Sequence, residues 1–161
     1  MKKIVDEQNY KIRLIDSIIE RNLKIFGAIC IEGPKWCGKS WTSSHHANSE
    51  FLVGDPSGNF SNRMLAELDP SQVLKGDSPR LIDEWQEVPS LWDATRAYVD
   101  LKNSKGQIIL TGSSTPTYKG VLHSGTGRIN KNCIELLCTL CQGQNKKRVH
   151  NKARLELKYV C

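Results

Sequence analysis

Eight consecutive residues, Gly33-Pro34-Lys35-Trp36-Cys37-Gly38-Lys39-Ser40, satisfy the pattern G-x-x-x-x-G-K-[ST] in full. The glycines let the backbone curl, so that successive N–H groups point inward and form a nest for an anion. A helix beginning at Lys39 would add the partial positive charge of its N-terminus. Lys39 would reach the β- and γ-phosphates of a nucleotide, and the Ser40 hydroxyl would ligate Mg²⁺. The expected nucleotide-contacting set is therefore Gly33, Pro34, Lys35, Trp36, Cys37, Gly38, Lys39 and Ser40, with Trp41 immediately beyond. A Gly-containing turn of no function can match such a pattern by chance. The apolar run before this loop and the helical segment after it argue against that.

A second pair of reactive side chains follows another apolar run, Leu81-Ile82-Asp83-Glu84. Two carboxylates at a strand end resemble a Walker B motif. Asp83 would hold Mg²⁺, directly or through water. Glu84 would act as the base that polarises the water attacking the γ-phosphate. Further on, Ile108-Ile109-Leu110-Thr111-Gly112-Ser113 ends a strand in small hydroxyl residues. In nucleotide hydrolases with a strand inserted between the two Walker motifs, a polar residue here contacts the γ-phosphate or the attacking water. Thr111 or Ser113 fits that role. Arg128, at the end of His123-Ser124-Gly125-Thr126-Gly127-Arg128, would serve as an arginine finger on a neighbouring subunit's nucleotide, which implies a homo-oligomer, or is equally a surface Arg. His45-His46 lack a partner set and read as a solvated helix end rather than a metal site.

These groups need a scaffold that brings them together. The spacing of Ile12, Ile15, Ile18, Ile19 and Leu23 predicts an amphipathic helix over Tyr10–Phe26, stopped by Gly27. Short apolar runs predict strands at Ala28–Ile31, Phe51–Val53, Arg80–Asp83 and Gln107–Thr111. Between them, helices are expected at Lys39–Ala47, Asn62–Leu68 and Pro70–Leu74, and from Pro89 through Leu101; a long loop is expected over Gly112–Gly127. Apolar runs alternating with helices predict an α/β domain around a mainly parallel sheet. Ligands of such sheets bind at the carboxyl ends of the strands, where the motifs above all fall.

Charge sharpens the partner classes. The chain has 161 residues and a formal net charge of +6. Residues 1–128 carry 16 basic and 15 acidic side chains, and residues 129–161 carry 7 basic and 2 acidic. The excess charge therefore belongs to the tail, and the first 128 residues give little support to a nucleic-acid partner. No 18-residue apolar run is present and the N-terminus lacks a signal-peptide core, so no membrane span is expected and the default location is cytoplasmic. Four of the six cysteines, Cys133, Cys138, Cys141 and Cys161, also lie in the tail. Cys138-x-x-Cys141, with Cys133 and His150 nearby, matches no common metal spacing.

Taken together, GAICIEGPKWCGKSWTSSHHA, PRLIDEWQEVPSLWDATRAYVD, GQIILTGSS and HSGTGRI closely resemble a family of prokaryotic AAA-like ATP-binding proteins. Its members pair an N-terminal AAA-type ATPase domain with a C-terminal domain of unknown function. The resemblance covers Tyr10 to Ile129. It implies a three-layer P-loop NTPase fold of the AAA or ASCE type, with ATP and Mg²⁺ held at Gly33, Gly38, Lys39, Ser40, Asp83 and Glu84. The expected organisation is an N-terminal helical segment (1–26), the ATPase core (27–129) and an atypical basic, Cys-rich tail (130–161). Family members continue after the GRI segment with a basic strand and a long C-terminal region. The abrupt change in composition here is read as a truncated or frame-shifted member. Hydrolysis of ATP is the expected function. A non-hydrolysing nucleotide switch and a small-molecule kinase are the alternatives. Glu84 and the strand after it favour hydrolysis.

Overall fold

The computed structural model describes residues 3–113, 121–122 and 124–134. In chain order the elements are α1 (Asp16–Ile25), β1 (Ala28–Gly33), α2 (Lys39–His46), β2 (Ser49–Leu52), α3 (Ser57–Leu68), α4 (Pro70–Val73), β3 (Arg80–Asp83), a 3₁₀ turn (Trp85–Glu87), α5 (Ser90–Lys102), β4 (Ile108–Ser113) and β5 (Ile129–Cys133). The five strands form one sheet in the order β2-β3-β4-β1-β5, and every pairing is parallel. β4 thus lies between the strand that feeds the phosphate loop and the strand that ends in the two carboxylates.

The strands read as unbroken apolar runs because both faces of the sheet are covered. Ala28, Cys30, Ile82, Ile108 and Leu110 face a core closed by Ala66, Val73, Trp85, Leu91, Trp92 and Val99. Ile29, Ile31, Leu81 and Ile109 face the other way, onto Ile15, Ile19, Cys37 and Ala47. Helices α1 and α2 cover one face; α3, α4 and α5 cover the other. The crossover that leaves β1 uses one face and the two that return through β3 and β4 use the opposite one, as right-handed βαβ units require. The expected three-layer α/β architecture with a parallel sheet is therefore present.

Some element boundaries differ from the sequence reading: β1 runs on to Gly33, β2 spans Ser49–Leu52 and β4 spans Ile108–Ser113. α1 begins at Asp16, not Tyr10. Its start is set by Asp16, whose carboxylate accepts the Arg13 backbone N–H (2.6 Å) and the Tyr10 hydroxyl (2.7 Å), and the chain before it is an irregular strap of turns and bends. In α3, Gly58, Asn59 and Phe60 are left-handed, so regular helix occupies only the later part of the range, where the sequence placed it at Asn62–Leu68. The compositional boundary after residue 129 cuts through β5. Asn130 to Cys133 pair with β1, and the fully buried Ile134 extends the ladder by donating its N–H to Glu32 O (2.9 Å). Cys138, Cys141, His150 and Cys161 lie outside the described residues, as does most of the expected tail.

Candidate nucleotide site

The loop Gly33–Ser40 leaves the carboxyl end of β1 and enters α2, as its sequence demands. Gly38 caps α2 with φ +84° and Trp36 adopts φ +68°, the positive dihedrals that curl the loop. Pro34, Lys35 and Trp36 project into solvent. The Cys37 side chain turns inward and packs in the core with Ile31 and Ile134, fastening the middle of the loop to the sheet. Lys39 is buried, and its ammonium donates to Pro34 O (3.0 Å) across the loop. Trp41 is half-buried in the first turn of α2.

Three strands' worth of sequence meet on one carboxylate oxygen. Asp83 Oδ1 accepts from the Ser40 hydroxyl (2.6 Å) and from the Thr111 hydroxyl (2.5 Å). The same Thr111 oxygen accepts the backbone N–H of Glu84 (3.2 Å). Thr111 is fully buried, so neither bond competes with water. Of the two hydroxyl residues expected at this strand end, Thr111 is the one joined to the acidic pair.

Glu84 sits in the left-handed region (φ 58°, ψ 48°), a conformation costing a non-glycine residue roughly 1–2 kcal/mol. That turn sends Trp85 into the core, where its ring stacks at a tilt on Trp92 (4.9 Å), and leaves the Glu84 side chain half-exposed at the carboxyl end of the sheet. Gln86 donates its side-chain amide to the Glu84 carboxylate. Gly112 makes room for this turn. A Cβ there would stand 2.8 Å from Gln86 Oε1 and 2.9 Å from Trp85 Nε1.

A family model described as an AAA domain matches residues 26–138. The chain belongs to this AAA domain family. No curated protein matches the chain. Like other AAA domains it is a nucleotide-binding, ATPase-type fold, and its sheet order agrees with that assignment. Among the described residues, no helix is long and apolar enough to cross a membrane.

Arg128, expected on a neighbouring subunit's nucleotide or as a surface Arg, lies away from this chain's own phosphate loop. Arg128 precedes β5, and its carbonyl accepts from Ala28 N–H (3.1 Å) at the start of β1. It lies at the amino end of the sheet, whereas the phosphate loop lies at the carboxyl end. There its guanidinium pairs with Asp100 (2.9 Å). The histidine pair is corrected. His46 is buried against Asp16 (2.9 Å), and His45 stacks on Tyr10 (3.8 Å) and meets Glu7 (2.7 Å). This end of α2 is covered by the N-terminal strap, not solvated. Among the described residues no group of three or more His, Cys, Asp or Glu could hold a metal ion.

Two neighbours of the site escaped the sequence reading. Gln86, which holds Glu84, lay inside a segment read only for its carboxylates. Arg13 donates to Cys37 O (3.3 Å) and Gly38 O (3.4 Å) of the phosphate loop. No local pattern around Arg13 marks it in the sequence, because its partners Cys37 and Gly38 lie more than twenty residues along the chain.

Proposed function

We propose that this chain binds ATP together with Mg²⁺ in the loop Gly33–Ser40 and hydrolyses the terminal phosphate. The observation that carries this reading is the convergence of Ser40 and Thr111 on Asp83 Oδ1, with Glu84 fastened to the same Thr111. A serine hydroxyl and a carboxylate oxygen 2.6 Å apart are the hard oxygen donors that Mg²⁺ prefers, and both border the phosphate loop. Ser40 and Asp83 would hold the ion, which when bound offsets phosphate charge. The backbone N–H groups of the loop bind the β-phosphate. Lys39 exchanges Pro34 O for phosphate oxygens. Glu84 accepts the proton of the water that attacks the γ-phosphorus, the bond to the β-γ bridging oxygen breaks, and ADP and phosphate leave. The Glu84–Gln86 bond favours a second reading, a resting state that binds ATP without turnover.

Titration of the purified protein with ATP, and phosphate release with and without Mg²⁺, test the proposal. Wild-type protein is expected to bind ATP and to release phosphate only with the metal. Glu84→Gln is expected to keep binding and to lose about 10²–10⁴ in rate. Binding without turnover in the wild type selects the resting-state reading. Absence of ATP binding refutes both.

A further inference from the structure

We propose that Arg13 is a positioning residue of the phosphate loop, holding two of its peptide units so that their N–H groups face the phosphates; this rests on the nucleotide reading above. The argument begins with peptide geometry. The peptide bonds joining Cys37 to Gly38 and Gly38 to Lys39 are trans. In a trans peptide the carbonyl and the N–H point to opposite sides of one rigid plane. A donor that takes the Cys37 carbonyl therefore turns the Gly38 N–H the other way, and a donor that takes the Gly38 carbonyl does the same for the Lys39 N–H. One Arg13 nitrogen, Nη1, reaches both carbonyls, at 3.3 Å and 3.4 Å, and the Gly38 carbonyl also accepts the Thr42 N–H of α2 at 2.9 Å. Gly38 and Lys39 are the two residues of the loop whose N–H groups begin α2 and close the anion nest.

The close approach depends on Gly38 lacking a side chain. A Cβ there would lie 2.3 Å from Arg13 Nη1 and 2.8 Å from Nη2. Glycine at this position thus serves two demands, the positive φ of the cap and room for the guanidinium. A cation beside a helix N-terminus is unfavourable by itself. Its charge becomes favourable when a polyphosphate occupies the nest, so Arg13 adds attraction as well as geometry.

The strap that carries Arg13 is fastened to the last turn of α2. Val5 N–H donates to the Ser44 hydroxyl (2.9 Å), Tyr10 lies on His45, and Asp16 joins Tyr10, His46 and the Arg13 backbone. Arg13 is therefore presented to the loop from a backbone tied at both sides, rather than from a free chain end.

The test compares Arg13→Ala with wild type by calorimetric titration with Mg-ATP, alongside Lys39→Ala. Arg13→Ala is expected to weaken ATP binding about tenfold, the scale of a lost charged hydrogen bond, with the melting midpoint of the ligand-free protein little changed. Added guanidinium ion at low millimolar concentration is expected to restore part of that affinity in Arg13→Ala and to leave wild type unaffected. A residue that merely packs would not respond to it. Where Arg13→Ala lacks a cooperative melt, Arg13→Lys takes its place, keeping the charge but not the fork, with an expected loss of about threefold. Wild-type affinity in the Arg13 variant while Lys39→Ala binds poorly overturns the role of Arg13 and leaves the nucleotide reading standing. A loss that guanidinium does not relieve also overturns it. Absence of ATP binding by the wild type removes the nucleotide reading and this role with it.

Discussion

Replacing Thr111 with valine removes one hydroxyl and nothing else of size, and that hydroxyl has two partners. It donates to Asp83 Oδ1 at 2.5 Å and accepts the Glu84 N–H at 3.2 Å, in a fully buried position. A hydrogen bond to a charged group contributes about 1.5–3 kcal/mol, and a buried donor left unpaired costs about 1–3 kcal/mol. The two share one atom and do not simply add, so the expected destabilisation is about 2–4 kcal/mol. At about 3 °C per kcal/mol for a domain of this size, the melting midpoint should fall by about 6–12 °C. Catalysis should fall further than stability. Glu84 occupies a left-handed backbone conformation that its N–H bond to Thr111 helps to hold. Released, the residue relaxes toward right-handed dihedrals and its carboxylate moves. A displacement of about 1 Å costs roughly 10²-fold in rate. ATP affinity should change less than about threefold, because the nest and Lys39 are untouched. Steady-state phosphate release, ATP titration and thermal melting read the three quantities, with Thr111→Ser as the control that keeps the hydroxyl. A valine variant with wild-type turnover refutes the reasoning. So does a serine variant as impaired as the valine one, since the methyl group would then be what matters.

Lys39→Ala should weaken ATP binding by about ten- to a hundredfold, because its ammonium is the charged donor within the loop; unchanged affinity in a calorimetric titration rejects that assignment. Asp16→Asn should destabilise the protein by about 1–3 kcal/mol at neutral pH, read as a lower melting midpoint, since an amide nitrogen would face the donors that now meet a carboxylate. Burial acts to raise the Asp16 pKa, but the Arg13 N–H, His46 and Tyr10 together hold it below the ordinary range. A lowered pKa in the folded state means that this stabilisation is full above the unfolded-state value near about 3.9 and is lost as pH falls through the folded value. The wild type should therefore lose stability below about pH 4 more steeply than Asp16→Asn, and identical acid melting profiles would show that Asp16 does not hold the strap.

The parts of the site that were legible in the sequence are those encoded by neighbours in the chain. The loop Gly33–Ser40 is a local string whose glycines and lysine are required by the turn itself. Leu81-Ile82-Asp83-Glu84 is a buried strand with its polar end attached. Strand positions followed from the same logic, because a strand covered on both faces has to be apolar at Ile29 and Cys30 alike. Arg13 was not legible, for a tertiary reason. Ile12, Ile15, Ile18 and Ile19 continue a helical period backward past Asp16, and the bonds of Asp16 to the Arg13 backbone, Tyr10 and the distant His46 hold the start of the helix there. Gln86 was hidden similarly, since its meaning arises from the left-handed turn at Glu84 that folds it back on the carboxylate.

Composition misled at one place where topology decides, and topology also locates Arg128. Asn130, Lys131 and Asn132 look like the start of a polar tail, yet they form an edge strand, where polar side chains are tolerated and here are used. Asn22 donates to Asn130 (3.1 Å) and Asn132 (2.8 Å), docking α1, while Lys131 lies over the Trp92 ring at 5.0 Å. Arg128 was expected on a neighbouring subunit's nucleotide or as a surface Arg. The register of β5 on β1 pairs Ile129 with Ala28, the first residue of the strand, and Cys133 lies level with Glu32, beside Gly33. In a parallel sheet the ligand end is the carboxyl end of every strand at once. A residue just before a strand is therefore on the wrong side of the sheet by the full length of that strand, roughly 3.3 Å for each of its residues. Arg128 can meet a phosphate only in another molecule, and its pairing with Asp100 is what the fold itself provides for that charge.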